Sequence, residues 1–241
     1  MRIEVAENAD ALNHCVAEHF VRLTTDAVHA RGRCAVALSG GSSPRGVYQL
    51  LGAPAFRSRV RWNDIHFFWG DERHVPPDHP DSNYRMAVEA MLSKVPVPPA
   101  NVHRVRSEVS DAERVAREYE DKIRACVEGL PIPRFDLIHL GIGTDGHIAS
   151  LFPGSAALEE RQRLCVANWV PKLNASRITL TLPVLNAAHA VVFIATGVEK
   201  ASIVQQVLGD SVESPLPAQL IRPADGELLW MLDRAAAGEL T

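Results

Sequence analysis

Three short stretches of the chain combine residue types that move protons or hold anions. The first is Gly141-Ile142-Gly143-Thr144-Asp145-Gly146-His147. Asp145 and His147 lie two apart in a glycine-flanked turn, so both side chains can face one pocket. An imidazole titrates near pH ~6.5, the useful range for taking and returning a proton in neutral water. A neighbouring carboxylate raises its basicity or fixes its tautomer. The second stretch is Ser39-Gly40-Gly41-Ser42-Ser43-Pro44. Glycines let main-chain amides turn towards a ligand, hydroxyls donate, and a following helix adds about half a positive charge at its start. Gly40, Gly41 and Ser42 therefore form a candidate phosphate cradle. Taken alone, the loop also fits an ordinary strand-to-helix turn. The third is Asp71-Glu72-Arg73, where a guanidinium suits bidentate capture of phosphate. Asp71 and Glu72 read equally as site residues or as partners in buried ion pairs. Lys200 in the first turn of a predicted helix opposes the helix dipole, a small cost that a bound anion explains. Arg177, at the start of a predicted strand, is a further candidate cation.

Several familiar chemistries lack their residues. No G-x-x-x-x-G-K-[ST] loop and no G-x-S-x-G elbow occurs. Gly141 to Gly146 does match G-x-G-x-x-G. However, Pro153-Gly154 interrupts any helix after it, and no strand leads into Glu159-Glu160, so a dinucleotide cofactor is not expected. His74 and His79 lie five apart in a proline-rich loop, which is poor metal-ligand spacing. Cys15, Cys34, Cys126 and Cys165 form no C-x-x-C pair, which points to free thiols rather than a disulfide scaffold or a zinc knuckle.

These residues need elements to position them. Buried-strand patterns cover 33–38, 65–69, 135–140 and 189–195, with weaker ones at 101–105, 164–170, 177–182 and 228–232. Helical patterns cover 8–30 (capped by Asn8 or Asp10), 46–51 with Pro44 suited to a first helical position, 82–94, 111–128 and 198–208. The helix at 111–128 carries charge pairs such as Glu113–Arg117 and Glu120–Arg124. Near-continuous apolar strands alternating with helices predict an α/β fold: a single three-layer, Rossmann-like domain, 1–241, with a mostly parallel sheet and helices on both faces. Ligands of such sheets bind beyond the carboxyl ends of the strands. If the strands are parallel, the loops at 39–43, 70–73, 141–147 and 196–200 converge on one edge.

The chain has 241 residues, a net charge of −4, 46% hydrophobic and 22% charged residues, which are globular values. That balance supplies no basic field for nucleic acid, so an anion must be held locally. The longest apolar stretch, 187–195, contains His189 and is too short to cross a bilayer. The N-terminal residues lack the apolar run of a signal peptide, so a cytoplasmic protein is expected, monomeric or homodimeric.

The set LSGGSSPRGVYQLL, FFWGDERHVPPDHPDSNYRMA, FDLIHLGIGTDGHIASLFPGS, ATGVEKA and PAQLIRPADGELLWMLDRAA resembles the 6-phosphogluconolactonases of the bacterial type. The related glucosamine-6-phosphate deaminases carry an A-F-N-E-P-G type run after the histidine and D-E-Y after the second strand. Here the runs are Ala149-Ser-Leu-Phe-Pro-Gly154 and Asp71-Glu72-Arg73, which favours the lactonase. The resemblance implies hydrolysis of 6-phospho-D-glucono-1,5-lactone, the second step of the oxidative pentose phosphate pathway, without metal or organic cofactor. It implies His147 as the catalytic histidine, Gly40, Gly41 and Ser42 as the phosphate loop, and Arg73, Lys200 and Arg177 as binding cations. Asp145 is expected to orient His147. A sugar-phosphate deaminase on the same fold, or a non-catalytic sugar-phosphate sensor, are the alternatives.

Overall fold

Nearly continuous hydrophobic runs set the centre of the molecule. The computed structural model describes residues 1–129, 131–209, 215–238 and 240. Its strands are β1 (Arg2–Ala6), β2 (Cys34–Leu38), β3 (Ile65–Trp69), β4 (Asp71–Arg73), β5 (Leu137–Leu140), β6 (Cys165–Val170), β7 (Ala175–Leu180), β8 (Ala190–Ala195) and β9 (Glu227–Asp233). Its helices are α1 (Ala9–Arg31), α2 (Ser42–Leu51), α3 (Pro54–Arg57), α4 (Asn83–Ala90), α5 (Ala112–Cys126), α6 (Leu182–Ala187), α7 (Ala201–Leu208) and α8 (Arg234–Ala237). Six strands form one sheet in the order β1-β9-β8-β5-β2-β3, and every pairing in it is parallel.

Both faces of this sheet are covered, because alternate residues of each strand point opposite ways. Val36, Leu38, Phe67, Val192 and Met231 pack with Phe20 of α1 and Val47 of α2. Ala37, Phe68, Ile138, Phe193 and Trp230 pack with Tyr119 of α5 and Val204 of α7. Within the second layer the rings of Phe193 and Trp230 lie parallel with centroids 3.9 Å apart. The predicted three-layer α/β architecture is therefore the one observed.

Several elements differ from the sequence reading. β1 escaped it: the strand is an edge, Ile3 and Val5 are exposed, and the segment has no continuous apolar run. α1 starts from Asn8, not Asp10, with the Asn8 side chain accepting from the Ala11 amide at 2.9 Å. α2 begins at Ser42, which puts Pro44 at its third position. α4 stops at Ala90, and a short 3-10 turn continues to Lys94. Residues 101–105 make only one isolated bridge, Phe67 with Val102, because Pro98 and Pro99 feed a 3-10 turn there. Residues 198–200 form a 3-10 turn, so α7 starts three residues late and Lys200 is its N-cap. Of the two expected pairs on α5, Glu120 and Arg124 meet at 2.9 Å, and Glu120 also accepts from Arg163 at 2.7 Å.

Asp71-Glu72-Arg73 is a strand and not a loop. It belongs to a second sheet, β4-β7-β6, whose pairings are antiparallel. Gly70 joins the two sheets: its amide donates to Leu38 of β2 at 2.9 Å, and its carbonyl accepts from Leu180 of β7 at 2.8 Å. Glu72 is buried and has no cation partner among the described residues. It accepts from the amides of Arg73, Asn83 and Tyr84 at 2.8 Å each and from the Ser82 hydroxyl at 3.2 Å. Burial pushes its carboxyl above the usual range, against the pull of those amides. Glu72 thus anchors the start of α4 to β4. Among the described residues no helix is long and apolar enough to cross a membrane.

Glu72→Ala strands four donors at this junction. The expected loss of stability is about 2–4 kcal/mol, read as a lower urea midpoint with an unchanged slope.

Candidate functional site

The carboxyl ends of β2, β5 and β8 open on one cavity of about 200 Å³, and the loops that follow those strands line it with the end of β4. The convergence expected from a parallel sheet is the one found. Gly40, Gly41 and Ser42 lie on its wall, as do Arg73, His147 and Lys200. Asp145 stands behind His147. Arg177 does not line the cavity. It sits one strand away, directly opposite Arg73 in the β4–β7 register.

The first wall is the start of α2. Gly41 is its N-cap and supplies no side-chain cap, and the first turn contains no acid. The opening amides of a helix have no intrahelical acceptor, so these donors face the cavity with the positive end of the helix dipole. The loop is held from below. The Ser39 amide donates to the Tyr48 hydroxyl at 3.0 Å, and Ser43 and Thr196 hydroxyls meet at 2.7 Å. Gly40 lies against Asn83. A Cβ there would sit 1.9 Å from the Asn83 side-chain oxygen, so only glycine allows this approach.

The second wall is the turn after β5. His147 Nδ1 lies 2.5 Å from Asp145 Oδ1, and the His147 amide bonds to the same oxygen at 3.2 Å. An ionised carboxylate only accepts, so the proton is on Nδ1 and Nε2 is left as the basic nitrogen for the cavity. Gly143 closes the turn, its amide donating to the His147 carbonyl at 2.9 Å. A Cβ on Gly143 would lie 2.0 Å from His147 Nδ1. Phe152 stacks on the imidazole with centroids 4.2 Å apart. Burial acts to raise the Asp145 pKa, but the Lys172 ammonium and the His147 ring outweigh it and hold the carboxyl well below its usual range. A depressed carboxylate pKa contributes stability that is complete above the unfolded value near pH ~4 and is lost as pH falls through the folded one.

The cations come from two other loops. Arg73 donates to the Asp81 carbonyl at 2.8 Å, and Lys200 donates to the Ile142 carbonyl at 2.8 Å. Like charges directly opposite on paired strands are destabilising. Burial, and then the Arg73 charge, push the Arg177 pKa down. Asp71 also lines the cavity, held by the Ser150 hydroxyl at 2.6 Å and by the Asn83 amide at 3.3 Å. Of the two acids left open by the sequence, Asp71 reaches the site and Glu72 does not. Lys172, Asn83, Ser150 and Phe152 are the neighbours that sequence reasoning missed. Lys172 and Asn83 reach the site from separate segments, while Ser150 and Phe152 follow His147 in its own loop, where their apolar and small-residue setting gives no sign of a site role.

A family model described as glucosamine-6-phosphate isomerases/6-phosphogluconolactonase matches residues 7–230. The chain is 41% identical over 219 residues to a 6-phosphogluconolactonase of Synechocystis, covering 90% of this chain and 88% of that protein. It is 43% identical over 219 residues to a human 6-phosphogluconolactonase, covering 88% and 83% respectively. The solved structure of a 6-phosphogluconolactonase from Trypanosoma brucei superposes with a TM-score of 0.89 at 29% identity, covering 100% of this chain and 98% of that one.

Gly143→Ala should rotate the imidazole away from Asp145. The expected outcome is loss of the low-field Nδ1 proton signal in the NMR spectrum, with the fold retained by circular dichroism.

Proposed function

The chain belongs to the glucosamine-6-phosphate isomerase/6-phosphogluconolactonase family, and we propose from that premise that it hydrolyses 6-phospho-D-glucono-1,5-lactone to 6-phosphogluconate at this cavity. The observation that carries the chemistry is the Asp145–His147 pair, 2.5 Å apart, with His147 on the wall of the cavity that also receives the start of α2.

The phosphate is anchored by the Gly40, Gly41 and Ser42 loop, by Arg73 and by Lys200. Arg177 adds positive charge from the second row, and an anion beside Arg73 relieves the repulsion between the two guanidinium groups. This anchoring sets the lactone carbonyl near His147. Nε2 takes a proton from water as the water oxygen bonds to C1, and the carbonyl oxygen becomes an oxyanion. Main-chain amides and cations of the wall stabilise that charge. When the oxyanion collapses, the bond from C1 to the ring oxygen breaks. The imidazolium returns its proton to that oxygen, and the new carboxylic acid ionises. Asp145 keeps Nδ1 protonated throughout, so the ring always presents the correct nitrogen. No step calls for a metal or an organic cofactor. The same reading takes 1–241 as one domain acting in the cytoplasm on a small sugar phosphate.

His147→Ala, with the fold retained, should lower lactone turnover by about 10²–10⁴-fold; undiminished turnover would sink the assignment. Arg73→Ala should chiefly raise KM, because phosphate is held equally in the ground and transition states. A pure kcat loss would instead put Arg73 in the chemistry.

A further inference from the structure

Among the described residues, Lys172 is the one cation at the site that lies behind His147 and not across the cavity from it. It sits in the short 3-10 turn Pro171–Leu173 between β6 and β7. Its ammonium donates to Asp145 Oδ2, while Oδ1 of the same carboxylate receives His147 Nδ1. The ammonium also lies 4.6 Å from the ring centroid of Phe152, the ring stacked on His147. Ammonium, carboxylate, imidazole and phenyl ring therefore form one closed cluster, drawn from two segments 27 residues apart.

We propose that Lys172 is a positioning residue for the hydrolysis read above: it holds Asp145 against His147 and takes up part of the carboxylate charge, so that the carboxylate orients the imidazole while drawing a proton onto it less strongly. The inference rests on that reading of His147 as the base. An unshared carboxylate beside a histidine favours the imidazolium and raises its pKa by about 1–3 units. A ring held as imidazolium at neutral pH cannot accept a proton from water. An ammonium on the far oxygen leaves the orienting hydrogen bond intact and removes much of that bias. The remaining charged groups around the ring are consistent with this division. Asp71, Arg73 and Lys200 face it from the cavity, with Arg177 behind Arg73. The segment 216–220, which packs on Gly146, brings no charge. On the side of the ring that meets Asp145, Lys172 is the cation among the described residues that offsets the carboxylate. Its half-exposed side chain makes no contact that closes the core, so the charge can be removed without dismantling the fold.

The test is an NMR titration of the His147 ring in the intact protein and in Lys172→Met and Lys172→Arg, with the pH profile of kcat/KM for the lactone alongside. Lys172→Met should raise the His147 pKa by about 0.5–1 unit, reduced from the full effect by solvent at this half-open site. The acid limb of kcat/KM should move up with it, lowering kcat/KM about three- to ten-fold on that limb, with recovery on the alkaline plateau. Lys172→Arg should titrate like the original protein. A His147 pKa in Lys172→Met that is unchanged or lower overturns the proposal, as would an acid limb that stays in place while the ring pKa rises. A purely structural role would change stability without moving the titration. The titration needs no turnover, so it is decided separately from the assignment of His147, which stands or falls with His147→Ala.

Discussion

Six strands run in one direction, and from that constraint the site follows. In a parallel sheet each strand must cross over before the next begins, so all carboxyl ends lie on one edge and all returning connections lie on the faces. The loops after β2, β5 and β8 therefore meet, although they are separated by about a hundred and fifty residues of chain. Gly70 extends the arrangement. It lets the chain leave β3 and enter a small antiparallel sheet, which carries Arg73 to the cavity and sets Arg177 behind it. Glu72, one residue earlier, ties that strand to the start of α4 and thereby to Asn83, which supports Gly40. A buried carboxylate with no cation partner among the described residues is doing the joining, through three main-chain amides and the Ser82 hydroxyl.

The site concentrates positive charge that the whole molecule lacks. The chain carries a net charge of −4, so a phosphate ester gains little from long-range attraction. Its binding depends on short-range donors: the uncapped start of α2, Arg73 and Lys200. On the opposite wall a carboxylate is needed to orient the imidazole, and it would by itself oppose both the phosphate and the free base. Pairing Asp145 with Lys172 resolves that conflict locally. Orientation is kept by one oxygen, and the excess charge is absorbed at the other.

Legibility in the sequence followed physical type. β2, β3, β5 and β8 were readable because both of their faces are largely buried, which demands a nearly continuous apolar run, interrupted only by His66 in β3 and His139 in β5. β1 was not, since an edge strand with exposed Ile3 and Val5 has no such demand. β4 was hidden because its residues are charged: Asp71 and Glu72 are buried and satisfied by hydroxyls and amides that no local pattern reveals. The helix boundaries slipped where 3-10 turns took over at Leu92–Lys94 and Val198–Lys200. At the site, Asp145 and His147 could be paired from spacing alone because a tight glycine turn leaves few ways for neighbours two apart to point. Asn83 and Lys172 could not, because their partners lie on other segments.

By itself the sequence determined which groups are available: a histidine and a carboxylate in one glycine turn, a glycine-serine loop before a helix, and a few cations in loops that follow strands. Those properties are local, carried by residue type and by spacing over a few positions. Tertiary structure alone decided which cations reach the cavity, that Arg177 stands opposite Arg73 and outside it, that Glu72 anchors α4 while Asp71 faces the ligand, and that Lys172 shares Asp145 with His147. Each of those outcomes depends on strand direction, register and crossover. They bring together groups tens of residues apart, and no local interaction along the chain encodes them.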